Sequence, residues 1–284
     1  MHLERGLYIV PTPIGNLADI TARAIEVLNA VDAIAVEDSR QSLRLLRHHG
    51  IDRPLFAYHD HVDEAASSAI AARIDGGEAI ALISDAGTPL VSDPGYRLVR
   101  AVQALQLPVI PLPGPCAAIT ALSASGLPTD RFLFEGFLPA KSGLRCQKLQ
   151  AVVNFRGTLI FYEAPHRIVD TLKDAVQILG AEREAVLARE LTKTFETIAR
   201  APLGDMLRWV EADSNQQRGE IVLLIGPCDR NQLSLDDATR TLLLRLGEAL
   251  PPRRAAAIVA EFSGLKTREL YELLLAERLK DDNP

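Results

Sequence analysis

The chain has 284 residues, 48% of them apolar and 24% charged, with a formal net charge of −6. That balance fits a soluble globular protein larger than one average domain and excludes a uniformly basic nucleic-acid binder, while leaving room for local basic patches. Three dispersed cysteines, Cys116, Cys146 and Cys228, include no C-x-x-C pair; a disulfide framework and a cysteine-based zinc site are excluded, and a reducing compartment is expected.

Residues 7–10 form an apolar run that predicts a strand, and it ends in Pro11-Thr12-Pro13-Ile14-Gly15-Asn16, where two prolines and a glycine forbid regular structure. Asp19 is the expected cap of a helix whose apolar face is Ile20, Ala24, Val27 and Leu28. Residues 33–36 predict a second buried strand, ending at Glu37-Asp38-Ser39-Arg40. The helix after it carries Arg40, Arg44 and Arg47 on one face and stops at Gly50; such a face is either solvated or set against an anion or RNA. His59-Asp60-His61 has no third ligand at suitable spacing, so it reads as a polar loop and no metal is called for. A helix over 62–74 ends at Gly76-Gly77.

The stretch 79–96 organises what surrounds it. An apolar strand over 79–83 empties into Ser84-Asp85-Ala86-Gly87-Thr88-Pro89, and Asp93-Pro94 reads as a helix cap followed by the first helical position. That helix runs through Leu98, Val99 and Val102; a strand over 108–112 then delivers Pro113-Gly114-Pro115-Cys116 and a helix over 117–125. Three times, after residues 10, 83 and 112, a strand opens into a proline- and glycine-marked loop before a helix. The alternation predicts a largely parallel sheet, with ligands bound outside the carboxyl ends of its strands. Helix N-termini at such loops suit a carboxylate or a phosphate. The fingerprints G-x-G-x-x-G and G-x-x-x-x-G-K-[ST] are both absent, which argues against an ordinary NAD enzyme or P-loop NTPase.

A strand over 131–135 is followed by a flexible link over 136–141, taken as near a domain boundary. Between Gly136 and Tyr162 stand Lys141, Arg145, Lys148 and Arg156 with no acidic residue, a pattern that suits a phosphate contact or a solvated helix face. Strands over 158–162, 185–190, 196–200 and 219–225, with a helix over 166–179 and a short one through Met206 and Trp209, predict a mixed sheet. Residues 229–284 read as three short helices broken at Pro251-Pro252 and Ser263-Gly264. Arg253-Arg254 and Lys266-Thr267-Arg268 sit at two of the helix starts, as in a helix-turn-helix or in a small packing bundle. The expected organisation is an α/β domain over 1–127, a second α/β domain over 128–228 and a helical extension over 229–284. No run approaches the roughly 18 apolar residues needed to span a bilayer, so a cytoplasmic protein without membrane contact is expected.

The segments Leu7-Tyr8-Ile9-Val10-Pro11-Thr12-Pro13-Ile14-Gly15-Asn16-Leu17, Glu37-Asp38-Ser39-Arg40, Ser84-Asp85-Ala86-Gly87-Thr88-Pro89 and Ser92-Asp93-Pro94-Gly95-Tyr96 resemble the tetrapyrrole-methylase superfamily. Pro113-Gly114-Pro115, Ser123-Ala124-Ser125-Gly126-Leu127-Pro128-Thr129, Phe161-Tyr162-Glu163-Ala164-Pro165-His166-Arg167 and Arg189-Glu190-Leu191-Thr192-Lys193 resemble its branch that methylates the ribose 2′-oxygen of a cytidine in 16S rRNA. The resemblance covers about residues 7 to 226 and continues into the helical tail. Thr12 and Cys116 depart from it, since Ala-Thr-Pro often opens the first loop and Ser or Thr commonly follows Pro-Gly-Pro.

The resemblance implies a two-domain α/β tetrapyrrole-methylase-like fold with S-adenosylmethionine (SAM) in the interdomain cleft and a small helical C-terminal extension. It also implies a homodimer, with 16S rRNA, within the 30S subunit, as partner. Cofactor contacts are expected from Pro13, Gly15, Ser84, Asp85, Ala86, Gly87, Leu90, Val91, Gly114, Pro115, Cys116 and Ala117, and from Tyr162, Glu163, Glu190, Leu191, Gly219, Glu220 and Ile221 of the second domain. A ribose hydroxyl is a poor nucleophile at neutral pH, so a base or a cation beside it should help. Asp38 and Lys193 are the candidates; Lys193 needs a lowered pKa to accept the proton, and both residues could instead form structural ion pairs. RNA contacts are expected from Arg40, Arg44, Lys141, Arg145, Lys148, Arg167, Arg253, Arg254, Lys266 and Arg268. A tetrapyrrole methylase and a noncatalytic RNA-binding assembly protein are the competing readings; the helical tail and the basic strip favour RNA.

Overall fold

The computed structural model describes residues 3–58, 64–228, 235 and 237–281. In its first half, strands β1 (Gly6–Ile9), β2 (Ala33–Val36), β3 (Leu55–Ala57), β4 (Ala79–Leu82) and β5 (Val109–Pro111) alternate with helices α1 (Ala22–Ala30), α2 (Ser39–His48), α3 (Glu64–Asp75), α4 (Tyr96–Ala104) and α5 (Ala117–Ala124). The strands form a parallel sheet of order β3-β2-β4-β1-β5. Every residue of β1, β2 and β4 is buried, because helices cover both faces of the sheet. Val27 and Leu28 of α1 and Leu46 of α2 pack on Tyr8, Val10 and Ile34. On the opposite face Ile70 and Ile74 of α3, with Leu98 and Val102 of α4, pack on Leu7, Ile9 and Ile80, as the two-residue alternation of a strand requires.

Two helix starts differ from expectation. Thr21, not Asp19, caps α1, accepting a 3.1 Å hydrogen bond from the Ala24 amide, while the Asp19 amide is used in a turn to the Asn16 carbonyl. α4 begins at Tyr96 behind Gly95 at φ +139°, a cap without a side chain. A Cβ on Gly95 would stand 2.8 Å from Leu82 and 3.0 Å from Leu90, so the loop can close on β4 only at a glycine. Asp93 is thereby displaced from the helix and left to the loop.

The second half contains β6 (Phe132–Phe137), α6 (Ser142–Ala151), β7 (Thr158–Glu163), α7 (Ile168–Leu179), β8 (Glu184–Arg189), β9 (Thr197–Pro202), α8 (Leu203–Ala212) and β10 (Ile221–Ile225), with sheet order β6-β7-β10-β8-β9. β6 and β7 run parallel, whereas hydrogen bonds from the Gly226 amide to the Glu184 carbonyl and from the Glu190 amide to the Glu220 carbonyl set β8 antiparallel to β10; the sheet is mixed, as the strand spacing suggests. Gly136 is not the start of a flexible link. It lies within β6, at φ +64°, where the register against β7 shifts.

Helices α9 (Asp237–Ala249), α10 (Pro252–Ser263) and α11 (Thr267–Asp281) follow. They share a core of Leu243, Ala255, Ala256, Val259, Leu265, Leu270 and Leu274. Gly264 in the left-handed conformation ends α10, as Ser263-Gly264 predicts. By compactness the chain divides into two units: Met1–Ser125 with Ala188–Ile198 and Gly219–Val222, and Gly126–Leu187 with Ala199–Arg218 and Leu223–Pro284. Among the described residues no helix is long and apolar enough to cross a membrane.

Within the basic strip over residues 141–156, Arg145 is structural. Arg145 is buried, its Nε 2.7 Å from Asp174 Oδ2 on α7, and its Nη1 donates to the carbonyls of Pro139 and Ala140. Ser142 completes the cage with a 3.1 Å bond to Asp174. The expected RNA contact by Arg145 is therefore corrected: its charge is spent joining α6 to α7. Arg145→Ala strands a buried carboxylate and should cost about 3–5 kcal/mol in urea unfolding, whereas exposed Lys141→Ala should stay within about 0.5 kcal/mol. Equal effects of the two substitutions would contradict this division of the strip.

Candidate active site

Because β4, β1 and β5 are neighbours and parallel, the loops that follow them leave the sheet at one edge. Backbone bonds tie the loops together. The Thr12 amide donates to the Gly87 carbonyl at 2.8 Å and the Gly87 amide to the Thr12 carbonyl at 3.0 Å. Thr12 Oγ1 donates to the Ser84 carbonyl at 3.1 Å, and Thr88 Oγ1 to the Pro115 carbonyl at 2.8 Å. A Cβ on Gly114 would stand 2.5 Å from Pro11 Cβ, so the third loop meets the first only at a glycine. Cys116, at the N-cap of α5, makes no side-chain capping bond. Leu90 and Ser92 stand at φ +74° and +66°, a conformation non-glycine residues adopt only under constraint from their surroundings.

Carboxylates gather beside these loops. Asp38 caps α2, its Oδ1 accepting from the Arg40 amide at 2.8 Å, and the Arg40 Nε lies 3.7 Å from the same oxygen. The Asp38 amide in turn donates to Asp85 Oδ1 at 3.1 Å, linking the ends of β2 and β4. Burial lifts the Asp93 carboxyl to about 6; a hydrogen bond with Ser84 opposes the rise, and the charges of Glu37 and Asp85 add to it. Sequence reasoning missed Asp93 because Asp-Pro reads as a helix start; the available signal was three carboxylates following two strands of one sheet.

Residues 188–198 and 219–222 complete the first unit's site. Lys193 Nζ lies 2.9 Å from Glu190 Oε1 and 3.0 Å from Glu220 Oε2. Glu190 Oε1 also accepts from the Glu220 amide at 3.0 Å. Glu190 and Thr192 hold φ of +51° and +65°, so the turn that presents Lys193 is strained. Two glycines make room for it. A Cβ on Gly219 would fall 2.4 Å from the Glu190 carboxylate, and one on Gly15 would fall 2.6 Å from Lys193 Cγ. The Asn16 amide donates to Thr192 Oγ1 at 3.1 Å, so the loop after β1 supports the turn directly.

This geometry corrects the expectation for Lys193. Burial pulls its pKa down, but the hydrogen bonds and charges of Glu190 and Glu220 outweigh burial and the pKa is raised. Burial pushes Glu190 up, yet the Glu220 amide and Lys193 more than reverse that, and its pKa is lowered. Lys193 is an ammonium in an ion-paired setting, not a poised base.

Other expected site residues separate in the same way. Pro13, Ser84 and Gly87 are buried, Asp85, Leu90, Val91, Pro115, Cys116 and Ala117 are half-buried, and Gly15, Ala86 and Gly114 are exposed. Leu191 and Ile221 are buried in the core. Tyr162, in the second unit, is half-buried with its ring edge-on to Phe134 and Phe137. Glu163 is corrected: its buried carboxylate is saturated by Arg167 Nη2 at 2.6 Å, Thr171 Oγ1 at 2.6 Å and the Ala164 amide at 2.7 Å, so its side chain is not offered to a cofactor. Arg167 is corrected with it, and so is Lys148, which is held by the Glu135 carbonyl at 2.7 Å and carboxylate at 3.2 Å. Arg40, Arg44, Lys141, Arg253, Arg254, Lys266 and Arg268 are exposed; Lys266 and Arg268 make surface pairs with Glu269 and Glu272. His59-Asp60-His61 lies outside the described residues.

Residues 6–207 match the family described as Tetrapyrrole (Corrin/Porphyrin) Methylases, and residues 233–278 match the RsmI C-terminal HTH domain. A relative named Ribosomal RNA small subunit methyltransferase I from Escherichia coli O157:H7 is 55% identical over 96% of this chain and 95% of its own. One of the same name from Vibrio cholerae is 54% identical over 94% of this chain and 93% of its own. Among solved structures, uroporphyrin-III C-methyltransferase from Thermus thermophilus complexed with S-adenosylhomocysteine superposes with a TM-score of 0.52, at 18% identity, over 78% of this chain and 97% of that one, a likeness of fold. The strand-end loops, the Lys193 turn and the three C-terminal helices thus belong to one architecture, and the chain is a member of the tetrapyrrole methylase family, in the branch of the ribosomal RNA small subunit methyltransferase I proteins.

Proposed function

We propose that the protein transfers the methyl group of SAM to the ribose 2′-oxygen of a cytidine in 16S rRNA. SAM-dependent methylation of small-subunit rRNA is the reaction of its branch, and one observation carries the assignment. The methylase segment and the helix-turn-helix segment lie on one chain that matches the rRNA methyltransferases over nearly their whole length. The cytidine 2′-oxygen, the 30S particle as substrate, a homodimer and a cytoplasmic setting are the finer parts of this reading, and they rest on the family resemblance of the sequence motifs.

The first unit's loops fit the cofactor. The N-terminus of α5, where the Cys116 side chain makes no capping bond, suits its carboxylate, the carbonyls of the 84–88 loop can accept from its ammonium and ribose, and Leu90 and Val91 offer apolar surface. When bound, the cofactor supplies an electrophilic methyl group on a sulfonium.

Lys193 keeps its proton and presents positive charge. Two of its three N–H donors are directed at Glu190 and Glu220, and the third can meet a hydroxyl whose oxygen gains negative charge as its proton departs. Asp38 is the candidate acceptor of that proton, although its Oδ1 is already committed to capping α2. Asp93, a neutral acid below about pH 6, keeps the charge among Glu37, Asp85 and itself from accumulating beneath the loops. Arg40, Arg44, Lys141, Arg253, Arg254, Lys266 and Arg268 are the cations proposed for the rRNA backbone.

Radiolabelled methyl transfer to 30S particles from cells lacking the activity, followed by nucleoside mapping, should place the label on a 2′-O-methylcytidine; label on a tetrapyrrole and none on RNA would overturn the proposal. Lys193→Ala should lower kcat about 100-fold with SAM affinity retained, the loss usual for one donor to a developing oxyanion. Full activity would remove Lys193 from the mechanism. Asp93 binds a proton in the folded chain that the unfolded chain has lost between its ordinary 3.8 and about 6. Its stabilisation is therefore complete below about pH 4 and disappears as the pH rises through about 6. Asp93→Asn should raise the urea midpoint above that of the parent at about pH 8 but not at about pH 4, and a difference independent of pH would contradict this assignment.

A further inference from the structure

On the face of the first sheet away from α1 and α2, helices α3 and α4 leave a groove of about 780 Å³ between them. It stays open because positions facing it are small, among them Ser67 and Ala71 on α3 and Ala101 on α4. The α4 wall carries Tyr96, Arg97 and Arg100. Tyr96 is 62% exposed, and the Arg100 guanidinium stands 6.0 Å from the centre of its ring. α4 contains no acidic residue, and among the described residues neither arginine is ion-paired. A single exposed aromatic ring is ordinary on a protein surface; a ring grouped with like charges on one wall of a groove is not. Here a ring and two guanidinium groups without ion partners among the described residues share one open wall.

That combination is complementary to a polyanion with unstacked bases: a base can lie on the ring while planar guanidinium groups take the flanking phosphates. A double helix would offer the tyrosine no base face. The Tyr96 end of the groove directly follows Gly95 in the chain, where the loop from β4 ends. We infer that the α3–α4 groove holds a single-stranded segment of the rRNA substrate, with a base on Tyr96 and phosphates on Arg97 and Arg100. This rests on the reading of the protein as an rRNA methyltransferase and adds to it a surface outside the cofactor loops and the Lys193 turn.

The test compares the full-length parent with Tyr96→Ala, Tyr96→Phe and the double variant Arg97→Ala/Arg100→Ala, in methyl transfer to 30S particles over a range of KCl. Tyr96→Ala should raise the KM for particles about tenfold, and Tyr96→Phe, which keeps the ring, should restore it. The double variant should reduce the slope of log KM against log salt by about 1.4, or about 0.7 for each phosphate contact on a single strand. SAM affinity, measured by calorimetry, should be the same in all four proteins. Unchanged KM and salt slope would overturn the inference. So would unchanged KM together with a fall in light-scattering mass in the variants, which would assign the groove to a second copy of the chain. A parent that methylates no RNA would sink the functional reading itself, a result separate from either of these.

Discussion

The pair of backbone hydrogen bonds between Thr12 and Gly87 is the constraint on which the site depends. Parallel strands can share an edge without their loops touching; here the loop after β1 and the loop after β4 form a two-residue bridge beyond the sheet. Thr88 extends the connection to Pro115 and so to the start of α5. Flexible proline- and glycine-rich segments become a surface of fixed backbone groups, and fixed groups need little reorganisation when a ligand or a developing charge arrives. Leu90 and Ser92, held at positive φ, show that the surrounding structure over-determines these loops.

Charge decides what the second half of the site can do. Lys193 is held by two carboxylates that together outweigh the downward pull of burial, so it remains a cation. Its value to a reaction then lies in electrostatics: an ammonium near a ribose oxygen favours the ionised oxygen. The strained turn at Glu190 and Thr192 and the space left by Gly15 and Gly219 hold that ammonium in place. Near these loops the carboxylate charges of Glu37 and Asp85 act on Asp93, and with burial they make it hold its proton up to about pH 6. The buried pairs of the second unit, Arg145 with Asp174 and Arg167 with Glu163, do different work by fixing how α6 and α7 pack and how β7 leads into α7.

Much of this was legible in the sequence because local chemistry and fold agree. The apolar runs at 33–36 and 79–83 and the proline-marked loops after residues 10, 83 and 112 are dictated within a few residues, and the structure bears them out. Sequence reasoning failed where the partner is distant along the chain. Arg145 and Lys148 belong to a basic strip when read locally; their carboxylate partners, Asp174 and Glu135, come from other elements. The Lys193 pKa is raised by Glu190, three residues before it, and by Glu220, 27 residues away, and only the first of these is local in sequence. Asp93 was hidden by its own proline, which suits a helix start that the close approach of Gly95 to β4 moved two residues onward.

The central claim is that the interlocked loops at the ends of β1, β4 and β5, with the Lys193 turn, form the surface that grips the methyl donor. Hydrogen–deuterium exchange with and without saturating SAM tests it directly. Amides in residues 12–16, 84–91, 114–118 and 190–193 should gain protection while those of the C-terminal helices do not change. Protection elsewhere with none in these loops would contradict the account.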